Sequence, residues 1–219
     1  MSLRSLLVTA LAAALLCGCA AADDWSEPHG KPAAVGELGA GFIDPDAPPA
    51  PEATITPRPG SWEQVHPPKG YRVVLLSTGE DASTKTLESA VTRWAEDEDV
   101  SLKTVDATDR RDHIAPIVAA MKLGPDLIIA AGNGLIDPLA LVSANHLDRQ
   151  FLVLGAEIAE PTFNVTAANW PGAAFRGEGL GMRDSYDPAT FTPERAANAL
   201  RAGVAAVLTG TTGVVVRVA

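Results

Sequence analysis

From residue 70 onward, the chain alternates short apolar runs with longer amphipathic segments, and this alternation constrains its fold more than any other feature. An apolar run of about four to eight residues that is rich in Val, Ile and Leu indicates a buried strand. Apolar positions three or four residues apart indicate a helix. The strand-like runs occupy residues 71–78, 100–107, 125–132, 149–157 and 163–170, and the helical segments occupy 83–98, 110–124, 137–147 and 192–208. Because strands that alternate with helices form a parallel sheet with right-handed crossovers, the chain is predicted to be an α/β protein.

The predicted architecture is a three-layer sandwich, in which helices cover both faces of a mostly parallel sheet of five or six strands. Numbered along the chain, the strands are expected in the flavodoxin-like order 2-1-3-4-5. Residues 100–107 alternate apolar and polar side chains, which predicts a half-exposed edge strand. Residues 125–132 are apolar on both faces, as in a central parallel strand. Near the C-terminus, "GVVVRV" (213–218) is expected to add to an edge of this sheet, beside the 192–208 helix.

Residues 1–19 have the pattern of a secretory signal. Arg4 precedes an apolar stretch over residues 6–16, which is too short to span a bilayer as a helix. The stretch ends in "LCGC", which resembles the lipobox of bacterial lipoproteins and implies acylation of Cys19 by a diacylglycerol and palmitate. An ordinary signal peptide with two incidental cysteines is the alternative. With Cys19 acylated at the mature N-terminus, the protein is expected at the extracytoplasmic face of the cell membrane, without a free thiol.

Residues 20–69 are rich in Pro, Ala and Gly and lack a sustained period of 2 or 3.6. A segment of this composition is expected to bury too little apolar surface to offset the entropy of ordering it. We therefore predict a disordered tether over residues 20–69, which separates the membrane from a folded domain over residues 70–219. Trp62 is expected to dock on that domain and to order the last few residues of the tether.

The charge and the motifs of the chain exclude several functions. A formal net charge of -10 argues against nucleic-acid binding, which needs a basic face. The sequence has no G-x-S-x-G elbow, no H-E-x-x-H and no P-loop lysine, and its four histidines are scattered. We therefore expect a protein that is not an enzyme and that holds neither a metal nor a cofactor.

Ligands of open parallel sheets bind where the strand order reverses, at the carboxyl ends of the strands. Here that point lies between the first and third strands, in the loops at residues 77–84 and 131–137. The glycines of these loops allow a ligand to approach the backbone closely. Each loop also contains one aspartate, whose carboxylate is able to bind ribose-like hydroxyls or an amine. The alternative is that these residues form ordinary turns and helix caps, with Ser83 or Thr84 capping the first helix. The candidate ligand-binding residues are Thr78, Gly79, Asp81, Ser83, Gly132, Asn133 and Asp137.

Three segments resemble the N-terminal half of the basic membrane protein family of ABC-transporter substrate-binding lipoproteins. They are "YRVVLLSTGEDASTKTLESAVTRWA", "GPDLIIAAGNGLIDPLALVSANHLDRQFLVLGA" and "FNVTAANWPGAAFRGEGLG…AANALRAGVAAVLTGTTGVVVRV". The resemblance covers residues 71–218 and implies one lobe of the type 1 periplasmic-binding fold. Relatives carry an Asp-x-x-Phe-Asn-like element after the first strand, whereas this chain reads "GEDASTKTLE", with Asp81 but without the aromatic residue and the Asn. Nearly all of the family's second lobe is absent from the sequence.

The resemblance implies a solute-binding lipoprotein, reduced to a truncated or degenerate single lobe. Its ligand is expected to be a small molecule, nucleoside-like by analogy with known members, which is delivered to an ABC transporter permease. Self-association through the cleft face would restore a two-sided site. The irregular segment at residues 170–192, with Arg176 and Arg183, is expected either to contact a ligand or partner or to cover apolar surface. The alternative function is an adaptor lipoprotein that uses an orphan lobe for interaction without transport.

Overall fold

The computed structural model describes residues 24–27, 30, 32–109, 111–173, 175–177 and 186–219. Over these residues the chain forms seven strands, four α-helices and a 3-10 turn at Pro188–Thr190. The strands are β1 (Thr54–Ile55), β2 (Arg72–Ser77), β3 (Ser101–Asp106), β4 (Leu127–Ala131), β5 (Phe151–Leu154), β6 (Val165–Asn169) and β7 (Val215–Arg217). The helices are α1 (Ala82–Asp97), α2 (Ile114–Lys122), α3 (Ile136–Ser143) and α4 (Pro193–Leu208). The predicted α/β class is confirmed.

All seven described strands join one parallel sheet in the order β1-β7-β6-β5-β4-β2-β3. The predicted order 2-1-3-4-5 corresponds to β3-β2-β4-β5-β6 and is confirmed. The C-terminal strand β7 adds beside β6, as expected. It is not the edge strand, because β1 pairs with its other side, through Thr54 with Val215 and Ile55 with Val216. The sheet therefore has one strand more than the predicted maximum.

The sheet separates two apolar cores, one on each face. Every residue of β4 and β5 is buried, as expected of central parallel strands, whereas β3 exposes alternate residues at the edge. The helices α1 and α4 cover one face, where Leu87 and Leu200 are fully buried. The helices α2 and α3 cover the other, where Ile117 and Leu139 are fully buried. The helix that follows β2 therefore lies on the opposite face from the helix that follows β4.

The helix α4 lies close against β5 and β6 because it carries a glycine at the contact. A Cβ atom on Gly203 would lie only 2.8 Å from the Cβ of Ala168 and 2.8 Å from a methyl carbon of Leu152. Thr192 caps the N-terminus of the helix, and its hydroxyl accepts a hydrogen bond from the Arg195 N–H at 3.3 Å. Phe191, the residue before this cap, lies near the carboxyl ends of the strands.

Much of the segment predicted as a disordered tether packs on the lobe instead. Phe42, Trp62 and Val65 are 2%, 5% and 7% exposed and belong to the same core as α1 and α4. Val35 and His66 also exchange backbone hydrogen bonds of 2.9 and 2.8 Å. The structure therefore differs from the expected spacer over residues 32–69. The buried apolar side chains of the segment are isolated in the sequence and pack on the lobe rather than on each other's helix or strand, so the segment has no periodic pattern of its own.

The predicted signal sequence and Cys19 lie outside the described residues. Within the described part of the chain, the helices are all too short or too polar to cross a membrane. The expectation of a lipid anchor at Cys19 therefore stays a prediction.

Replacing Phe42 with Ala tests whether the N-terminal segment is part of the folded domain. Because Phe42 is 2% exposed within the core, we expect Phe42→Ala to lower the free energy of unfolding by about 3–5 kcal/mol. Urea denaturation of the mature domain measures this loss. Val35→Ala is the matched control, since Val35 is 54% exposed, and its expected effect is within about 0.5 kcal/mol. Equal stability of the Phe42 variant and the native chain would contradict the packing of this segment.

Candidate ligand-binding cleft

A crevice opens where β2 and β4 lie side by side. The chain leaves β2 for α1 on one face of the sheet and leaves β4 for α3 on the other face. The two connections diverge, so the loops after these strands border a gap at the carboxyl ends, which is where open α/β sheets bind ligands.

This crevice forms a cleft of about 660 Å³, within the range of about 300–1,000 Å³ that is usual for small-molecule sites. All seven candidate ligand-binding residues of the sequence analysis line it. The structure therefore brings the two predicted loops together, although ligand binding by these residues stays a prediction. Further residues that line the cleft are Glu80, Thr84, His113, Gly134, Pro138, Phe175, Tyr186 and Phe191.

Asp81 caps α1, a role that the sequence analysis assigned to Ser83 or Thr84. Its Oδ1 accepts a hydrogen bond from the Thr84 N–H at 3.0 Å, and its Oδ2 accepts one from the Thr84 hydroxyl at 2.7 Å. Partial burial acts to raise the pKa of the Asp81 carboxyl, but these hydrogen bonds outweigh it and lower the pKa below its ordinary value. Asp81 therefore stays ionised and fixes the shape of the first loop. Its exposed carboxylate retains lone pairs for a ligand.

The second loop packs directly on the first. The Thr78 hydroxyl donates a hydrogen bond of 3.2 Å to the carbonyl of Ala131, the last residue of β4. A Cβ atom on Gly134 would lie 3.0 Å from the Cβ of Thr78, so only glycine allows this approach without displacement. Gly132 has φ of 81°, in the left-handed region that glycine adopts at no steric cost. The two loops therefore pack together and form one rim of the cleft.

Asn133 and Asp137 bring polar groups into this rim. The Asn133 Oδ1 is buried and has no hydrogen-bond partner among the described residues. A buried acceptor without a partner is costly, so this oxygen is suited to accept a hydrogen bond from a ligand or a water. Asp137 lies in the first turn of α3, where the helix dipole favours a carboxylate. The Gly177 backbone passes close to it, since a Cβ there would lie 2.6 Å from the Asp137 Oδ1.

An aromatic wall borders the cleft, and the sequence analysis missed it. The rings of Phe191 and Trp170 meet edge to face with centroids 5.0 Å apart, and those of Phe191 and Tyr186 are 5.6 Å apart. The Tyr186 hydroxyl lies 3.5 Å from the Ser83 hydroxyl across the cleft. These aromatic residues come from the irregular segment before α4, about a hundred positions from the first loop. The only local signal is "SYDPATFTP", in which an aspartate, a proline and two aromatic residues precede a helix.

The charged groups of the cleft are mostly acidic. Glu80, Asp81 and Asp137 line it, and its described lining contains neither lysine nor arginine. Arg176, which the sequence analysis considered for ligand contact, instead forms an ion pair of 3.4 Å with the buried Glu157. Arg183 lies outside the described residues. The described part of the chain also contains no cluster of three or more His, Cys, Asp or Glu that is able to hold a metal ion. The charges that the described residues bring to the cleft are therefore mainly negative.

No protein-family model and no curated protein matches the sequence, so membership of the basic membrane protein family stays a prediction. One similar solved structure is that of ABC transporter system solute-binding proteins from Aeropyrum pernix K1, with 20% identity, a TM-score of 0.40, and coverage of 46% of this chain and 28% of that chain. Another is a fragment of a proposed lipoprotein from Peptoclostridium difficile 630, with 17% identity, a TM-score of 0.46, and coverage of 66% and 100%. The function has to be inferred from the cleft itself.

Two substitutions at Asp81 test its role as a helix cap. Asp81→Ala removes both hydrogen bonds to Thr84, so we expect the free energy of unfolding at neutral pH to fall by about 1 kcal/mol. Asp81→Asn should lose much less, because asparagine caps helices about as well. Urea denaturation of the three proteins measures the difference. A similar loss for both substitutions would contradict the capping role.

The lowered pKa of Asp81 predicts a pH dependence of this difference. A carboxyl with a lower pKa in the folded state stabilises the fold above its unfolded pKa of about 3.9, and this stabilisation is lost as the pH falls through the folded pKa. We therefore expect the stability gap between the native chain and Asp81→Ala to be larger at neutral pH than in acid below the folded pKa. Denaturation curves at both pH values test this, and a constant gap would contradict it.

Proposed function

We propose that this chain is a lipid-anchored, extracytoplasmic solute-binding lobe whose cleft takes up a small molecule. The observation that supports this most directly is the convergence of two βα loops and an aromatic wall on one cleft of about 660 Å³. Concave sites with mostly preformed walls and a few polar groups are typical of small-molecule binding. The lipobox-like "LCGC" supports the location at the outer face of the cell membrane.

A nucleoside-like solute fits the chemistry of the cleft. The aromatic rings of Tyr186 and Phe191 offer apolar surface to a planar base. The carboxylates of Asp81 and Asp137 are acceptors for sugar hydroxyls, and the Asn133 Oδ1 is an acceptor for an amino group. Delivery of this solute to an ABC transporter is part of the proposal, which follows the family resemblance.

We propose binding without catalysis. His113 lines the cleft, but in the described part of the chain it makes no hydrogen bond with Ser83 or Thr84. A hydroxyl nucleophile needs such a base within hydrogen-bond reach. The hydroxyl of Thr84 is instead committed to Asp81.

A ligand panel tests the proposal on the mature domain expressed without its signal and Cys19. We expect adenosine, guanosine or uridine to raise the melting temperature, because a ligand at about 100 times its Kd stabilises a fold by about 2.7 kcal/mol. The corresponding 5′-monophosphate should stabilise less, since its phosphate adds a charge of about -1.5 to -2 beside three carboxylates. Thermal denaturation and calorimetric titration measure both effects. Absence of any nucleoside effect would exclude this ligand class, and a stronger effect of the monophosphate would contradict the electrostatic argument.

Replacing Tyr186 locates the binding site. If a base stacks on its ring, Tyr186→Ala should weaken the affinity by about 1–3 kcal/mol, or roughly 5- to 150-fold. Phe163→Ala is the matched control, because Phe163 is also an exposed aromatic residue but does not line the cleft. Calorimetric titration of both variants measures the affinity. An equal change in the two variants would place the site elsewhere.

A further inference from the structure

A short segment near the N-terminus, Asp24–Glu27, docks against the lobe at the end of the sheet opposite the cleft. We call it the strap. The Trp25 indole N–H donates a hydrogen bond of 2.8 Å to the Ser101 hydroxyl. The Lys103 ammonium lies 4.3 Å from the centroid of the Trp25 ring, within the range of cation–π attraction. Trp25 also packs against the core below α2 and α3, so the strap contacts the lobe through both apolar and polar groups.

Arg72 ties the backbone of the strap to the sheet. Its guanidinium donates hydrogen bonds to the carbonyl of Glu27 at 3.1 Å and to the carbonyl of Asp24 at 2.8 Å. Arg72 is only 4% exposed, and an arginine buried to this extent needs such acceptors. Because the strap supplies two of them, its docking satisfies hydrogen-bond donors of a buried guanidinium and is more than a loose surface contact.

The parallel sheet separates the strap from the cleft. Arg72 and Ser101 are the first residues of β2 and β3, whereas Thr78 of the cleft directly follows the last residue of β2. A strand rises by about 3.3 Å per residue, so the six residues of β2 place the strap and the cleft about 20 Å apart along the sheet. The strap therefore lies at the amino ends of the strands, and we call this end of the lobe the floor. The cleft lies at the opposite end, where the strands have their carboxyl ends.

The strap also lies close in sequence to the predicted anchor. Asp24 is the fifth residue after Cys19, and an extended chain spans at most about 3.6 Å per residue. An acylated Cys19 is therefore confined to within about 18 Å of Asp24. A free tether that ended at residue 69 would allow a separation of about 180 Å by the same measure.

We infer that the docked strap fixes the orientation of the lobe on the extracytoplasmic surface of the cell membrane. The floor then lies toward the lipid, and the cleft faces away from it. This inference rests on the anchoring of Cys19 in the proposed function. The floor contacts the membrane, and the cleft receives its solute from the surrounding medium. Presentation of the cleft to a permease in the same membrane then requires release of the strap, whereas an adaptor role does not.

Energy transfer from the protein to a labelled lipid tests this orientation. The acylated protein is reconstituted in vesicles of phosphatidylcholine and phosphatidylglycerol that contain an acceptor-labelled lipid. One donor dye is attached at Asp148→Cys on the floor and, in a second protein, at Glu80→Cys on the rim of the cleft; both native side chains are well exposed. The introduced cysteine is the sole free thiol, since Cys19 is acylated and Cys17 is removed with the signal. We expect markedly higher transfer from the floor than from the rim.

Trp25→Ala should abolish this difference, because the lobe would then move on a longer tether. A cooperative thermal transition and an unchanged far-UV circular dichroism spectrum would confirm that the variant folds, and Ser101→Ala gives a second, milder disruption of the same contact. Equal transfer from floor and rim in the native protein would overturn the inference, as would an undiminished difference in both variants.

Failure of the native protein to bind vesicles, or vesicle binding by Cys19→Ser, would instead overturn the anchor. Solute binding is measured separately on the soluble domain, so its failure would leave the orientation result intact.

Discussion

The fold depends on strands that are buried on both faces. Burial of β4 and β5 on both sides requires helices on both sides, and only crossover connections through helices supply them while keeping the strands parallel. The same constraint collects the carboxyl ends of the strands at one end of the lobe and the amino ends at the other. The cleft and the docked strap therefore lie at opposite ends of the sheet. Each brings together residues that are far apart in the sequence.

In the proposed function, the same residues of the cleft have both structural and binding roles. Asp81 holds the first turn of α1 through Thr84, and Gly134 allows the second loop to touch Thr78. Such contacts reduce the freedom of the rim before a ligand arrives, which lowers the entropy lost on binding. In the proposed site, the polar groups that remain available, above all the Asn133 Oδ1, would then select the solutes that bind.

The sequence predicted those features of the fold that hydrophobic periodicity and sheet topology determine. The order of β3, β2, β4, β5 and β6 follows from the alternation of strands and helices, and the two loops of the cleft follow from the reversal of that order. The aromatic wall was missed because Tyr186 and Phe191 belong to neither a strand nor a helix. The docking of residues 32–69 was missed for a related reason. Phe42 and Trp62 are isolated apolar residues in a Pro-rich and Gly-rich segment, and their sites exist only once α1 and α4 have packed.

The short strand β1 has a consequence for solubility. The Glu52 N–H donates to the carbonyl of Gly213 at 2.8 Å, and the Val215 N–H donates to the carbonyl of Ala53 at 2.9 Å. These two bonds occupy backbone groups at and just before the start of β7, whose valines would otherwise border an open sheet edge. An open apolar edge is a template for pairing with other chains and for aggregation. The N-terminal segment thus covers one side of the C-terminal strand and protects it from pairing with other chains.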